Sequence, residues 1–283
     1  MTAPRAAAAI ESVDALEDAA RAATRDLLLC LADSKRILGL RYADWILGAP
    51  ELEAGIAASG MAQDEWGHAR ILYTLLEDFG DDPQEIEHGR AASDYRAMEP
   101  LDLPWSTWPE FIAANVLVDT ALTVMLESLA GGGLTPVASR LRKQIEEERF
   151  HFAHGVAWLR RLAGPDATPA SREAIAAAVR GIWPTVLLWL GPADSAAGTA
   201  LADAAVLARS GDVLRQRFLG RIGPALHGCR LRLVTRVDGG WTTKTKLSWS
   251  GWDERSRRSG GGGPDEETAA RARGDKNRAF LMD

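Results

Sequence analysis

Two stretches decide the fold: Glu65-Trp66-Gly67-His68 and, 83 residues later, Glu148-Arg149-Phe150-His151. Each lies inside a long segment of helical patterning. At three-residue spacing a Glu and a His share one face of a helix. One such pair can hold a metal ion from one side, and two pairs on facing helices can hold two. In four-helix bundles with dinuclear carboxylate sites, two helices each give one carboxylate and the other two each give a Glu-x-x-His. The expectation is an all-α, ferritin-like four-helix bundle with one long crossover, extra C-terminal helices and a flexible tail.

Both pairs sit on apolar stripes. Around Glu65 the same face carries Met61, Ala62, Ala69 and Leu72, and around His151 it carries Ile145 and Phe152. A buried Glu costs several kcal/mol unless neutral, paired or on a metal. Taken singly, a Glu-x-x-His is more often a surface hydrogen bond; the alternative for both together is a buried polar network. Glu146 and Glu147 read as a solvated charge face, and His154 as a surface or supporting histidine. Asp64 is one residue off the core face and suits a supporting role.

The helical periods order the chain. A first helix is expected over 13–47, ending before Gly48-Ala49-Pro50, because Pro50 disfavours helical geometry at Ala49. A second covers 51–79. Residues 80–106, with Pro83, Pro100 and Pro104, are too long for a hairpin turn and read as a crossover. A third helix starts at Thr107-Trp108-Pro109, with Thr107 as cap and Pro109 in the first turn, and ends at Gly131. A fourth spans 135–162. Shorter helices follow over 170–190, 194–208 and 211–227. The helical domain is thus bounded at 13–228, and 229–283 is an irregular extension with a Gly-rich linker (259–264) and a charged tail ending in Phe280-Leu281-Met282. Leu231 to Val237 suits a short strand, with Asp238-Gly239-Gly240 turning into Trp241.

On the third helix Asp119 is the preferred ligand, since Val116, Leu122 and Leu126 share its face; Glu127 competes and Glu110 is too near the helix start. The first helix has no Glu between Glu17 and Leu47. Asp33, on a face with Leu29, Cys30, Ile37 and Leu40, is the short-armed candidate there, by ligation or through Lys35. A Lys35 pointing inward would instead put a positive charge where a ligand belongs. The expected metal set is Asp33, Glu65, His68, Asp119, Glu148 and His151, with Glu65 and Glu148 in catalytic roles.

Composition narrows the classes. The 283 residues carry a net charge of −6 without basic clusters, which gives no footprint for nucleic acid. Two cysteines, Cys30 and Cys229, are too few for a disulfide framework or zinc ribbon and read as reduced, buried thiols. No signal peptide is apparent. No uninterrupted apolar run reaches the ~18 residues of a membrane span, so a cytoplasmic location without membrane contact is expected.

The stretches Leu31-Ala32-Asp33-Ser34-Lys35, Ala49-Pro50-Glu51-Leu52-Glu53 and Met61 to Arg70 resemble the phenylacetic acid catabolic family, the A-type and C-type subunits of a multicomponent ring-1,2-phenylacetyl-CoA epoxidase. Leu117-Val118-Asp119 and Glu147 to His151 resemble it too; the likeness covers about residues 27–163. It implies a di-iron monooxygenase with two iron ions, electrons from a separate reductase, O₂ and an aromatic acyl-CoA substrate, acting in a homo- or hetero-oligomer with other oxygenase subunits. In that family the A-type subunit holds the irons, and the C-type subunit is a structural partner that has lost ligands. Asp33 and the Ala49-Pro50-Glu51-Leu52-Glu53 segment resemble the C-type. Glu65, His68, Asp119, Glu148 and His151 match A-type ligand positions, and the A-type first-helix Glu falls at or near Lys35. The alternatives implied are a non-catalytic structural subunit, marked by the lack of a first-helix carboxylate at the site, and a ferritin-like iron- or peroxide-handling protein.

Overall fold

A computed structural model of the chain describes residues 9–208 and 211–275. It is all-α and ferritin-like, with a single two-stranded hairpin among the described residues. Helix α1 (Asp18–Ala43) follows a 3₁₀ turn, Val13–Ala15, capped by the Ser12 hydroxyl, and is shorter at both ends than its apolar pattern. Helix α2 (Leu52–Leu75) packs along it. Gly39 makes the approach possible: a Cβ there would stand 2.7 Å from the Trp66 ring.

The crossover contains a short helix α3 (Pro83–His88), with the Asp82 side chain as cap and Pro83 at its start. The third rod runs Trp108–Ala130 in three joined pieces: α4 (Trp108–Ala114), a π-helical turn (Asn115–Asp119) and α5 (Thr120–Ala130). Its start is a capping box. Thr107 Oγ1 accepts from Glu110 N, and Glu110 Oε2 accepts from Thr107 N at 2.9 Å. This rod is apolar and long enough to cross a membrane by composition, which its interrupted apolar runs do not reveal; it is buried in the bundle. Helix α6 (Thr135–Ala163) completes the four.

Helices α7 (Pro169–Trp189), α8 (Ala196–Asp203) and α9 (Gly211–Gly228) pack around the bundle. Pro184 lies within α7 without ending it. Strands β1 (Thr235–Val237) and β2 (Gly240–Thr242) pair antiparallel across Asp238-Gly239. Both turn residues have positive φ, 49° and 83°, the geometry of the tight turn that suits a twisted hairpin.

Beyond the hairpin the chain lies back over α1 and the crossover. Arg258 donates to Asp102 Oδ1 at 3.0 Å and to the Ala97 carbonyl at 2.7 Å, and Ser259 N donates to Glu99 Oε1 at 2.8 Å. The segment expected as a free linker is thus tied down at its start. Helix α10 (Glu266–Arg273) follows, and Arg36 and Arg41 of α1 bond to its residues Ala272 and Thr268. Residues 280–282 lie outside the described residues.

Candidate metal centre

α1, α2, the third rod and α6 each send side chains into one buried cluster. Glu65, Asp119, Glu148 and His151 each offer a ligand atom, and these atoms lie within 4.8 Å of one another. Such a set of oxygens and a nitrogen fits metal binding. All four are at most 2% exposed. The π turn helps: both Asn115 and Asp119, at its two ends, are fully or nearly fully buried on the site side, as is common where such turns serve functional sites.

The first helix contributes a cation. Lys35, with no exposed surface, points its Nζ into the middle of the cluster. It donates to Glu148 Oε1 at 2.5 Å, Asp119 Oδ1 at 2.8 Å and Glu65 Oε1 at 3.0 Å. An ammonium has three N–H donors, so each is used on a different helix. Burial works against its charge, but the three carboxylates outweigh it and hold its pKa well above the ordinary value.

His151 meets two of the same carboxylates. Its Nδ1 is 3.1 Å from Asp119 Oδ2 and 3.2 Å from Glu65 Oε1, and its Nε2 is 3.3 Å from Asp64 Oδ2. Burial opposes a charge here too, yet bonds to Asp119, Asp64 and Glu65 raise its pKa far above the ordinary value. With carboxylate oxygens at both nitrogens the ring is held as an imidazolium. At His68 only one nitrogen is hydrogen-bonded: Nε2 is 2.9 Å from Glu147 Oε2, while Nδ1 lies 3.2 Å from Glu148 Oε1, and its pKa is raised against the effect of burial.

The acids divide. Burial and the neighbouring Asp119 push Glu65 up to about 7, with Lys35 pulling the other way. Asp119 is equally buried, but Lys35 and His151 overcome that and hold its carboxyl well below the usual range. Tyr42 donates to Asp119 Oδ2 at 3.0 Å and accepts from Asn115 Nδ2 at 2.9 Å, and Thr123 donates to Glu148 Oε2 at 3.1 Å.

Five of the six expected ligands therefore converge. Asp33 does not, and that expectation is corrected. It is fully buried on the opposite side of α1, where it accepts from Tyr73 Oη at 2.7 Å, Arg90 Nη1 at 3.0 Å and the Arg96 amide at 2.7 Å. Residues two apart on a helix are about 200° apart around it, so with Lys35 inward Asp33 cannot face the cluster or pair with Lys35. It anchors the crossover to α1 instead.

Asp64 supports a histidine as its position suggested. Glu147, read as solvent-facing, holds His68. Glu127 stays off the cluster and pairs with Arg217 and Arg221. His154 also lies off it, beside Phe111, and burial lowers its pKa. Tyr42 and Asn115 were not anticipated. The signal existed: Asn115 is one helical turn before Asp119, and Tyr42 two turns after Lys35.

A two-iron centre does not fit this arrangement. The position between Glu65, Asp119 and Glu148 is taken by the Lys35 ammonium, and α1 supplies no carboxylate. What remains unmatched is small. Glu65 Oε2 is buried with no hydrogen-bond partner, and His68 Nδ1, though near Glu148 Oε1, is not aligned for a hydrogen bond with it. A cleft of about 560 Å³ runs past Thr120, Thr123, Ile145 and Phe152 to Asp119 and Glu148.

Comparison with known proteins covers most of the chain. The family model described as phenylacetic acid catabolic protein matches residues 1–250. The chain is 26% identical over 221 residues to the A subunit of 1,2-phenylacetyl-CoA epoxidase from Escherichia coli (strain K12), covering 77% of this chain and 71% of that protein. It is 24% identical over 157 residues to the C subunit of the same organism's enzyme, covering 55% of this chain and 62% of that one. With a family match over residues 1–250, this chain belongs to the phenylacetic acid catabolic protein family.

Proposed function

We propose that the chain is a metal-free companion subunit of a phenylacetyl-CoA-epoxidase-type oxygenase, rather than the subunit that carries out oxygen chemistry. One observation carries this: Lys35 Nζ is bonded to all three carboxylates that would share a metal. Two buried Glu-x-x-His pairs do not by themselves demand a metal. Here an ammonium and an imidazolium meet the negative charge, and every helix of the bundle is tied to its neighbours through it. The cluster acts as a polar clasp inside an apolar core. A buried network of this kind is weak as a source of stability but can fix which packing is adopted.

The test is metal analysis of the purified chain, with iron present during expression. Iron well below one per chain, together with co-elution with an A-type partner on gel filtration, supports the reading. Two irons per chain would overturn it.

The cleft that reaches Asp119 and Glu148 favours a second reading, in which the chain is itself a di-iron monooxygenase component taking an aromatic acyl-CoA, with electrons from a reductase. The same analysis separates the two. On that second reading Glu148→Ala abolishes iron loading while the helical content stays.

A further inference from the structure

Resting on the metal-free reading above, we infer that Lys35 is the one side chain that keeps a divalent cation out of this core, and that Lys35→Glu turns the cluster into a site for at least one divalent metal ion at the place of the lysine ammonium.

Lys35 Nζ sits in a shell of acidic oxygens. Three carboxylate oxygens meet it at 2.5–3.0 Å, which is the shell a small cation wants, slightly expanded. A hard divalent ion draws such oxygens in to about 2.0–2.2 Å, a movement of under an ångström per side chain. The shell also has ligand capacity that the ammonium leaves unused: Glu65 Oε2 and His68 Nδ1 are buried without a hydrogen-bond partner.

The outer contacts are already those of a metal site. A ligating histidine usually donates its second N–H to a carboxylate, which fixes the ring and frees the other nitrogen. Asp64 stands at His151 Nε2 and Glu147 at His68 Nε2, so in both rings Nδ1 is the inward atom. Ligating carboxylates are in turn held by hydrogen bonds. Tyr42 holds Asp119 Oδ2 and Thr123 holds Glu148 Oε2, each leaving the second oxygen turned to Lys35.

Reach is the remaining question. In glutamate the terminal oxygens fall where lysine has Cε, one bond short of Nζ. A Glu at position 35 therefore stops about 1.5 Å before the Nζ position. A small outward shift of the ion gives a normal metal–oxygen distance, and a fourth carboxylate then comes from α1. Its negative charge replaces a positive one, so the core without metal holds four acids and becomes dependent on the ion.

The experiment uses the full chain, wild type and Lys35→Glu, with Lys35→Gln as a neutral second variant of the same length as Glu. Each is stripped with chelator and equilibrated with Mn(II). Bound manganese is counted by mass spectrometry, and the thermal midpoint is read with and without the ion. The inference expects one or more Mn(II) per chain in Lys35→Glu, a midpoint that rises on adding Mn(II), and neither effect in wild type. Folded Lys35→Glu and Lys35→Gln that bind no Mn(II), beside a metal-free wild type, overturn the inference and leave the proposed function standing. Failure of both variants to fold even with Mn(II) present also overturns it, since the ion should take over the charge of the ammonium. Stoichiometric uptake by wild type overturns both readings, because Lys35 then excludes nothing.

Discussion

At Lys35 the three N–H bonds of one ammonium end on three carboxylates from three different helices, with no exposed surface on the lysine. Removing one partner of such a group leaves charges buried without compensation, and that typically costs about 3–5 kcal/mol. Lys35→Met should therefore destabilise the chain by roughly that amount in a urea melt run with chelator present; an unchanged midpoint would mean the acids are already neutral. The pH dependence follows from the opposite shifts of two acids. Glu65 titrates near 7 in the fold, above its ordinary 4.5, so its contribution is present below the ordinary value and lost as pH rises through 7. Asp119 is shifted down, so its contribution is present above its ordinary value and lost as pH falls well into the acid range. His151, shifted up, contributes fully below its ordinary 6.5 and progressively less as pH climbs above it. The wild-type thermal midpoint should fall between pH 5 and pH 8, and Glu65→Gln should fall less over the same interval, keeping the part due to His151 and to His68, whose pKa is also raised. Equal declines in the two proteins would show that Glu65 is ionised throughout.

Among the elements, the third rod shows local rules and tertiary demand acting together. Its start is written in the sequence: the Thr107 hydroxyl, Pro109 in the first turn and Glu110 reaching back to the Thr107 amide. Replacing Thr107 with Ala should cost about 1 kcal/mol by denaturant melting, with the cluster untouched because Asp119 lies three turns away. Its middle was not legible. Nothing in Asn115-Val116-Leu117-Val118-Asp119 announces a π turn, which forms where a helix must present two polar side chains to one buried site. The first helix has the reverse history. Its apolar pattern runs to Leu47, but the helix ends at Ala43, where the chain turns so that Gly55 of α2 can approach the Ile46 carbonyl. A Cβ at Gly55 would stand 2.4 Å from that oxygen, a contact no side chain could make.

Over the whole molecule, the C-terminal extension works as a strap across the bundle. Arg258, nearly fully buried, forms an ion pair with Asp102, while Arg273 donates to the Arg90 carbonyl at 2.9 Å and Arg90 pairs with Asp33. A line of contacts thus runs from the extension through the crossover to α1. Arg258→Ala should lower stability by about 2–4 kcal/mol, because it leaves Asp102 partly buried and unpaired and cuts the strap from the crossover. Hydrogen exchange should then speed up in α10 before it does in α2; uniform acceleration would argue against a strap.

Period and punctuation in the sequence were enough for the four rods, the long crossover, the Thr107 start, the hairpin turn and the convergence of Glu65, His68, Asp119, Glu148 and His151. The rods, the start and the turn depend on near-neighbour geometry and turn chemistry, which are local, and the convergence follows from helical spacing combined with the four-helix bundle pattern. Direction around α1 was not local. Asp33 and Lys35 are two residues apart and both could be placed on a core-like face, since α1 is buried nearly all round: Leu27 to Lys35 are all buried. A helix with no solvent side gives no stripe to show which residue meets which neighbour. Only the packed bundle decided that Asp33 answers Tyr73 of α2 and Arg90 of the crossover, while Lys35 answers three acids. The physical reason is charge: a buried ammonium must find carboxylates and a buried carboxylate must find donors, and their partners come from segments 30 to 113 residues away in sequence.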